Sequence, residues 1–187
     1  MYSWRGYTPS PPIREIPNRI TLVAHKNDHI IGTITLGFDS SIGLLVDELY
    51  KQEIDPIRKQ SRKLCEFTKL AVDGGVRSKR VLASLFHIAY IYAHNLHNST
   101  DLFIEVNPRH AKFYEKMLGF KQYGPEKHNQ RVNAPAVLLW LDLDYAHQQI
   151  QKFGGRLSLT RSEKSLYPYF FSPAEEEGIS HRLALSS

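Results

Sequence analysis

Val81, Leu85, Ile88, Ala89, Tyr92 and Leu96 recur at spacings of four, three, one, three and four, one apolar stripe of a helix. Ser84, His87, His94, Asn95 and Asn98 occupy much of the other side. The helix stands between two strand segments, Leu64–Val72 and Leu102–Val106. A strand–helix–strand unit of this kind restricts the chain to an α/β arrangement.

The remaining segments fit around that unit. Arg19–His25 and His29–Leu36 read as strands joined at Lys26-Asn27-Asp28 into a hairpin. Gly32 weakens the second strand unless a backbone or ligand passes close by. Leu45–Tyr50 and Ile54–Arg58 read as short helical pieces interrupted at Pro56. Asn107-Pro108 breaks the strand at 102–106, and Arg109–Leu118 is a helix stopped by Gly119. Phe120–Tyr123 resumes the sheet, Val132–Leu143 is a strand interrupted near Pro135, and 144–153 is helical. The order is hairpin, strand, helix, strand, helix, strand, strand: a mixed α/β three-layer domain with a mostly antiparallel central sheet. Residues 1–18, with Pro9, Pro11, Pro12 and Pro17, form an extended N-terminal arm, 19–155 the domain, and 156–187 a C-terminal extension packing on it. That extension reads as loose apart from the apolar Tyr167–Phe171 cluster, for which core, tunnel lining and partner contact all stand.

Composition narrows the function classes. A chain of 187 residues with 42% hydrophobic and 23% charged residues is one globular domain. Cys65 is the single cysteine, which excludes an intramolecular disulfide. Apolar runs such as Ala134–Leu141 are too short to cross a bilayer, and Met1–Gly6 carries no secretion pattern, so a cytoplasmic protein is expected. A net charge of +5 favours an acidic partner. Nucleic acid is not expected, because no basic helix is interleaved with exposed aromatics. His87, His94 and His97 share one helix and His110 lies nearby in sequence, but no carboxylate or cysteine completes a metal-ligand spacing.

Two stretches carry the chemistry. Asp73-Gly74-Gly75-Val76-Arg77-Ser78-Lys79-Arg80 follows a strand and opens the long helix. Free N–H groups at a helix start, with Arg77, Lys79 and Arg80 beside them and Ser78 as cap, suit a phosphate. The same residues also describe a plain turn and a solvated, capped helix start. The second stretch, Glu105 to Phe120, contains Asn107-Pro108-x-x-Ala111-x-x-Tyr114-x-x-x-Leu118-Gly119-Phe120.

This second string resembles the strand-to-helix segment of the GNAT N-acyltransferase superfamily. Within it, Val46–Tyr50, Arg62–Val72 and Ile104–His110 are similar to bacterial long-chain N-acyl amino acid synthases and acyl-homoserine lactone synthases. The likeness spans roughly residues 20–143. It implies a GNAT-like fold and transfer of a fatty acyl group from acyl-acyl carrier protein to the amine of an amino acid or similar small amine. The donor is an acyl-phosphopantetheine, and neither a metal nor a permanently bound cofactor is implied. An acetyl-coenzyme A-dependent N-acetyltransferase and a non-catalytic module binding an acyl carrier or a lipid are the alternatives.

The resemblance also suggests roles. Glu66 is the expected base, on a strand face shared with Leu64, Thr68 and Leu70. Glu66-x-x-Lys69 is similar to the Glu-x-x-Arg of the lactone synthases, with Lys69 lacking the planar fork of arginine. Tyr114 matches the tyrosine that protonates the leaving thiol, or is a packed aromatic. Backbone near Leu70, Ala71 and Val72 is expected to meet the oxyanion and pantetheine. Asn107 binds the pantetheine arm or caps the next helix. Asp47 and Glu48 orient the acceptor or face solvent. The phosphate stretch lacks the glycines common among coenzyme A users, which favours a carrier protein met by Arg77, Lys79 and Arg80 together with Arg58, Lys59, Arg62 and Lys63.

Overall fold

A computed structural model describes residues 18–26, 28–74 and 78–186. Most of the N-terminal arm and Arg77 lie outside the described residues. The strands are β1 (Arg19–Lys26), β2 (His29–Phe38), β3 (Leu64–Val72), β4 (Asp101–Val106), β5 (Lys121–Gln122), β6 (Lys127–Asn129) and β7 (Ala134–Asp142). The helices are α1 (Asp47–Arg58), α2 (Lys79–Tyr90), α3 (Pro108–Leu118), α4 (Leu143–Phe153) and α5 (Pro173–Ser186). The sheet runs β1-β2-β3-β4-β7-β5, with β6 also on β7. Every neighbouring pair is antiparallel except β3–β4. This is the mixed, mostly antiparallel sheet that the element order implies.

Two cores flank it. On one face α1 contributes Tyr50, Ile54 and Ile57 to a small cluster with Leu64, Phe103 and Leu138. On the other face α2, α3 and α4 pack with Cys65, Phe67, Leu102, Ile104 and Leu141 into the main core. Adjacent residues of β3 and β4 thus serve opposite layers, as the two-residue strand period requires.

Some elements differ from the sequence expectation. The break in α1 falls at Tyr50 (φ −121°, ψ 22°), not at Pro56. The buried Tyr50 hydroxyl donates to the carbonyls of Ala136 (2.8 Å) and Pro125 (3.1 Å), so long-range anchoring sets the kink. The apolar stripe runs through α2 into a π-helical turn, Ile91–Leu96. Pro135 lies within β7 opposite His128 of β6, which the sequence reading did not contain, and leaves β7 uninterrupted. The segment read as loose holds two 3₁₀ turns and the fourteen-residue α5. Other expectations hold. Gly119 closes α3 at φ +82°, and a Cβ on Gly32 would lie 2.8 Å from Leu85 of α2 and 3.3 Å from the Ala71 carbonyl.

Candidate active site

β3 and β4 pair only at Leu64–Asp101, Cys65–Leu102 and Glu66–Phe103. β3 continues to Val72 and β4 to Val106, so the strands part after Glu66 and leave a gap in the middle of the sheet. A bulge adjoins it. Thr33 stands opposite Ala71 and Thr35 opposite Thr68, so Lys69 and Leu70 together face Ile34. Lys69 takes φ +52°, and its carbonyl accepts the Thr33 hydroxyl at 3.3 Å. The extra residue reverses the alternation of side chains. Leu70 and Val72 therefore join the main core rather than sharing the face of Leu64 and Glu66, which corrects the expectation for Leu70. The Asp73 N–H donates to the Ile31 carbonyl at 2.9 Å. Alternation along the strand then turns the Val72 N–H toward the gap.

Glu66 points to the α1 face and is fully buried. It accepts from Arg19 Nη2 (2.9 Å), Leu45 N–H (2.8 Å) and Val46 N–H (3.0 Å). Burial raises its carboxyl above the usual range, although those donors and the Arg19 charge pull the other way. Glu105 lies past the parting, on the same face of β4 as Phe103. It is half-buried and accepts from Asn129 Nδ2 at 2.5 Å. Burial also raises Glu105, against the Asn129 hydrogen bond and the Arg131 charge, with Glu48 adding to the rise. Asn129 Oδ1 accepts the Arg131 N–H at 2.9 Å, and Arg131 Nη1 lies 3.6 Å from the exposed Glu48. The sequence reading places Glu105 in the second stretch but assigns it no role of its own, and it does not single out Asn129 or Arg131. A lone carboxylate in the apolar strand Leu102–Val106 was a usable signal, whereas Asn129 and Arg131 come from a connection with no local pattern.

The opposite face carries a different chemistry. Tyr114 of α3 is half-buried and packs edge-on against Phe86 (6.3 Å) and Phe120 (5.9 Å). Ser78 caps α2, accepting the Val81 N–H at 3.4 Å, and Asn107 caps α3, accepting the Arg109 N–H at 3.2 Å. Lys79 and Arg80 are exposed on the first turn of α2, and Lys79 Nζ lies 5.7 Å from the centre of the Tyr169 ring.

Several other expected groups have partners or surroundings of their own. Asp47 accepts both Arg58 Nη1 (2.8 Å) and Nη2 (2.6 Å), and Asp39 and Asp55 also hold Arg58. Arg62 pairs with the buried Asp101. Arg58, Lys59, Arg62 and Lys63 precede β3, whereas Lys79 and Arg80 follow it. At about 3.3 Å per residue the strand separates them by about 26 Å, so they do not form one patch. Lys26 and His29 at the β-hairpin end, and Arg109 and Lys112 at the start of α3, are exposed at the same end of the sheet as Lys79 and Arg80. Lys69 is exposed on the bulge. His87 reaches Glu176, His94 reaches Tyr90, and His97 stacks on Phe38, so these histidines do not converge. Among the described residues no group of three or more metal-ligating side chains is assembled. Among the same residues, no helix is long and apolar enough to cross a membrane.

Residues 1–142 match the family described as N-acyl amino acid synthase FeeM. The chain is 33% identical to the structure of FeeM, an N-acyl amino acid synthase from uncultured soil microbes. That match covers 79% of this chain and 87% of FeeM, with a TM-score of 0.71. BjaI, a CoA-dependent acyl-homoserine lactone synthase solved with SAM and isopentyl-CoA, is 12% identical with a TM-score of 0.55, covering 79% of this chain and 73% of BjaI; the likeness is one of fold. No curated protein sequence matches the chain.

Proposed function

The chain belongs to the family of the N-acyl amino acid synthase FeeM and is an acyltransferase; from that premise we propose that it moves a fatty acyl group from an acyl carrier protein to the amine of an amino acid. The observation that carries this reading is the parting of β3 and β4 after Glu66, with carboxylates on one face and apolar, basic elements on the other.

In this reading the thioester lies in the gap beside the bulge. The backbone of Leu70, Ala71 and Val72 holds the pantetheine, and the inward-turned Val72 N–H steadies the developing oxyanion. The phosphate reaches the start of α2, where Ser78, Lys79 and Arg80 stand. The exposed cations at this end meet the acidic surface of a carrier protein. Asn107 holds α3 in place, and α3 carries Tyr114.

The acceptor comes from the α1 side. Its neutral nitrogen attacks the thioester carbon, the C–N bond forms and the C–S bond breaks. Tyr114 gives its proton to the leaving thiolate and regains one from solvent. Of the two carboxylates on the acceptor face, Glu105 takes the amine proton. Glu66, the base expected from sequence, has three donors and no exposed surface. It instead positions the Leu45–Val46 turn and Arg19 around the acceptor. Arg131 binds the acceptor carboxylate, while Glu48 and Lys69 border the opening. Asp47 supports the same turn through Leu44 N–H (2.7 Å) and Arg58.

The test is direct. The purified protein is incubated with carrier protein charged with saturated acyl chains and a mixture of amino acids, and products are read by mass spectrometry. N-acyl amino acids formed from the charged carrier are expected. Turnover confined to acyl-coenzyme A would reject the donor, and carrier binding without product from any amine would reject catalysis.

A further inference from the structure

Behind the gap, in the main core, lies an apolar seam with only about 20 Å³ of open space. Phe67, the first β3 residue past the paired stretch, and Phe86 of α2 form one wall. Tyr167 and Phe170 form another, and Leu141 and Ala146 lie along the side. Tyr167 and Phe170 come from beyond residue 142, outside the family match. Their turn is tied down firmly. The Tyr167 hydroxyl donates to the Leu118 carbonyl at 2.7 Å, and the Leu166 N–H donates to the Met117 carbonyl at 2.8 Å. Both acceptors lie at the end of α3, the helix that carries Tyr114. The Phe170 carbonyl in turn accepts the Gly155 N–H at 2.8 Å.

We infer that the seam receives the acyl chain of the donor and that Tyr167 and Phe170 are its end wall, so the C-terminal segment limits the length of chain transferred. This rests on the reading of the gap as the thioester site. The seam begins at Phe67, where a thioester in the gap would send its alkyl tail, and its lining is almost wholly hydrocarbon. Open space of this size holds about one water and no alkyl chain. A chain therefore enters only as far as the walls yield. The sheet and α2 are built into the fold's core, whereas the 167–170 turn is an addition hydrogen-bonded against it.

The experiment compares wild type, Phe170→Ala and Ala146→Leu with carrier protein charged with butanoyl through hexadecanoyl chains. Each newly buried methylene is worth about fourfold. Phe170→Ala is expected to raise the kcat/KM ratio of hexadecanoyl to dodecanoyl donor about tenfold, and Ala146→Leu to lower it. If wild type makes N-acyl product and both folded variants keep its chain-length profile, the end wall is wrong and the functional reading survives. If wild type makes no N-acyl product with any donor, the functional reading fails and takes the end wall with it. Should Phe170→Ala fail to fold, the milder truncation Phe170→Leu at the same wall decides in its place.

Discussion

Glu66 and Glu105 share a face of the sheet but differ in what surrounds them, and the roles proposed for them rest on that difference. A carboxylate that accepts a substrate proton needs access to it, which the half-buried Glu105 has and the enclosed Glu66 lacks. Glu105→Gln should lower kcat by about a hundredfold or more while leaving the donor KM nearly unchanged, as steady-state kinetics would show. Because burial raises Glu105, its proton leaves above the ordinary value of about 4.3. The rate should climb with pH through that raised value, and Glu105→Gln should abolish this limb. Glu66→Gln should behave otherwise. An amide cannot accept from Arg19, Leu45 and Val46 together, so stability falls by about 1–3 kcal/mol, while the pH limb remains. Loss of the limb in Glu66→Gln instead would return the base to Glu66. Glu66 also explains Gly37 across the strand pair. A Cβ there would lie 2.8 Å from the Glu66 carboxylate, which its donors hold in place. Gly37→Ala should therefore cost about 1–3 kcal/mol, read in a thermal melt.

At the scale of elements, the bulge in β3 and the docking of α5 show how single contacts aim whole segments. The bulge turns Leu70 and Val72 into the main core, and the backbone beside the gap lies past the last β3–β4 pair. Helix α5 is held through the buried Glu176, which faces His87 Nε2 at 3.3 Å and accepts from Asn95 Nδ2 at 2.9 Å. His87 Nδ1 accepts the Phe171 N–H at 3.0 Å, which leaves Nε2 as the donor to Glu176. Burial alone would raise the Glu176 carboxyl, but the His87 and Asn95 hydrogen bonds outweigh it and hold it below the ordinary range. A depressed carboxyl stabilises the fold above its unfolded value of about 4.3 and loses that contribution as pH falls through the lower, folded value. Hydrogen exchange in α5 should therefore accelerate in that acid window, and Glu176→Gln should remove the pH dependence.

At the scale of the whole molecule, charge is distributed by end. Lys26, His29, Lys79, Arg80, Arg109 and Lys112 are exposed where the gap opens, while at the other end Arg58 and Arg62 are held by aspartates and Lys59 and Lys63 are exposed. Steering of an acidic carrier by exposed charge is screened by salt. The KM for the acyl carrier should rise with ionic strength while kcat stays nearly constant, and Lys79→Ala with Arg80→Ala should flatten that dependence. The sequence alone determined the strand–helix–strand unit, the hairpin, the Asn107–Pro108 start and Gly119 stop of α3, and the family likeness. Those depend on side-chain period and on backbone preferences of single residues, which act between near neighbours. Only the tertiary structure decided where β3 and β4 part, which face Leu70 takes, that Arg58 is bound rather than free, and that Glu105 stands with Asn129 and Arg131. It also folded 173–186 into a helix whose apolar pattern is weak, because the partners that hold it, His87 and Asn95, lie more than eighty residues away. Contacts at that range have no period along the chain, so they become visible only when packing brings the segments together.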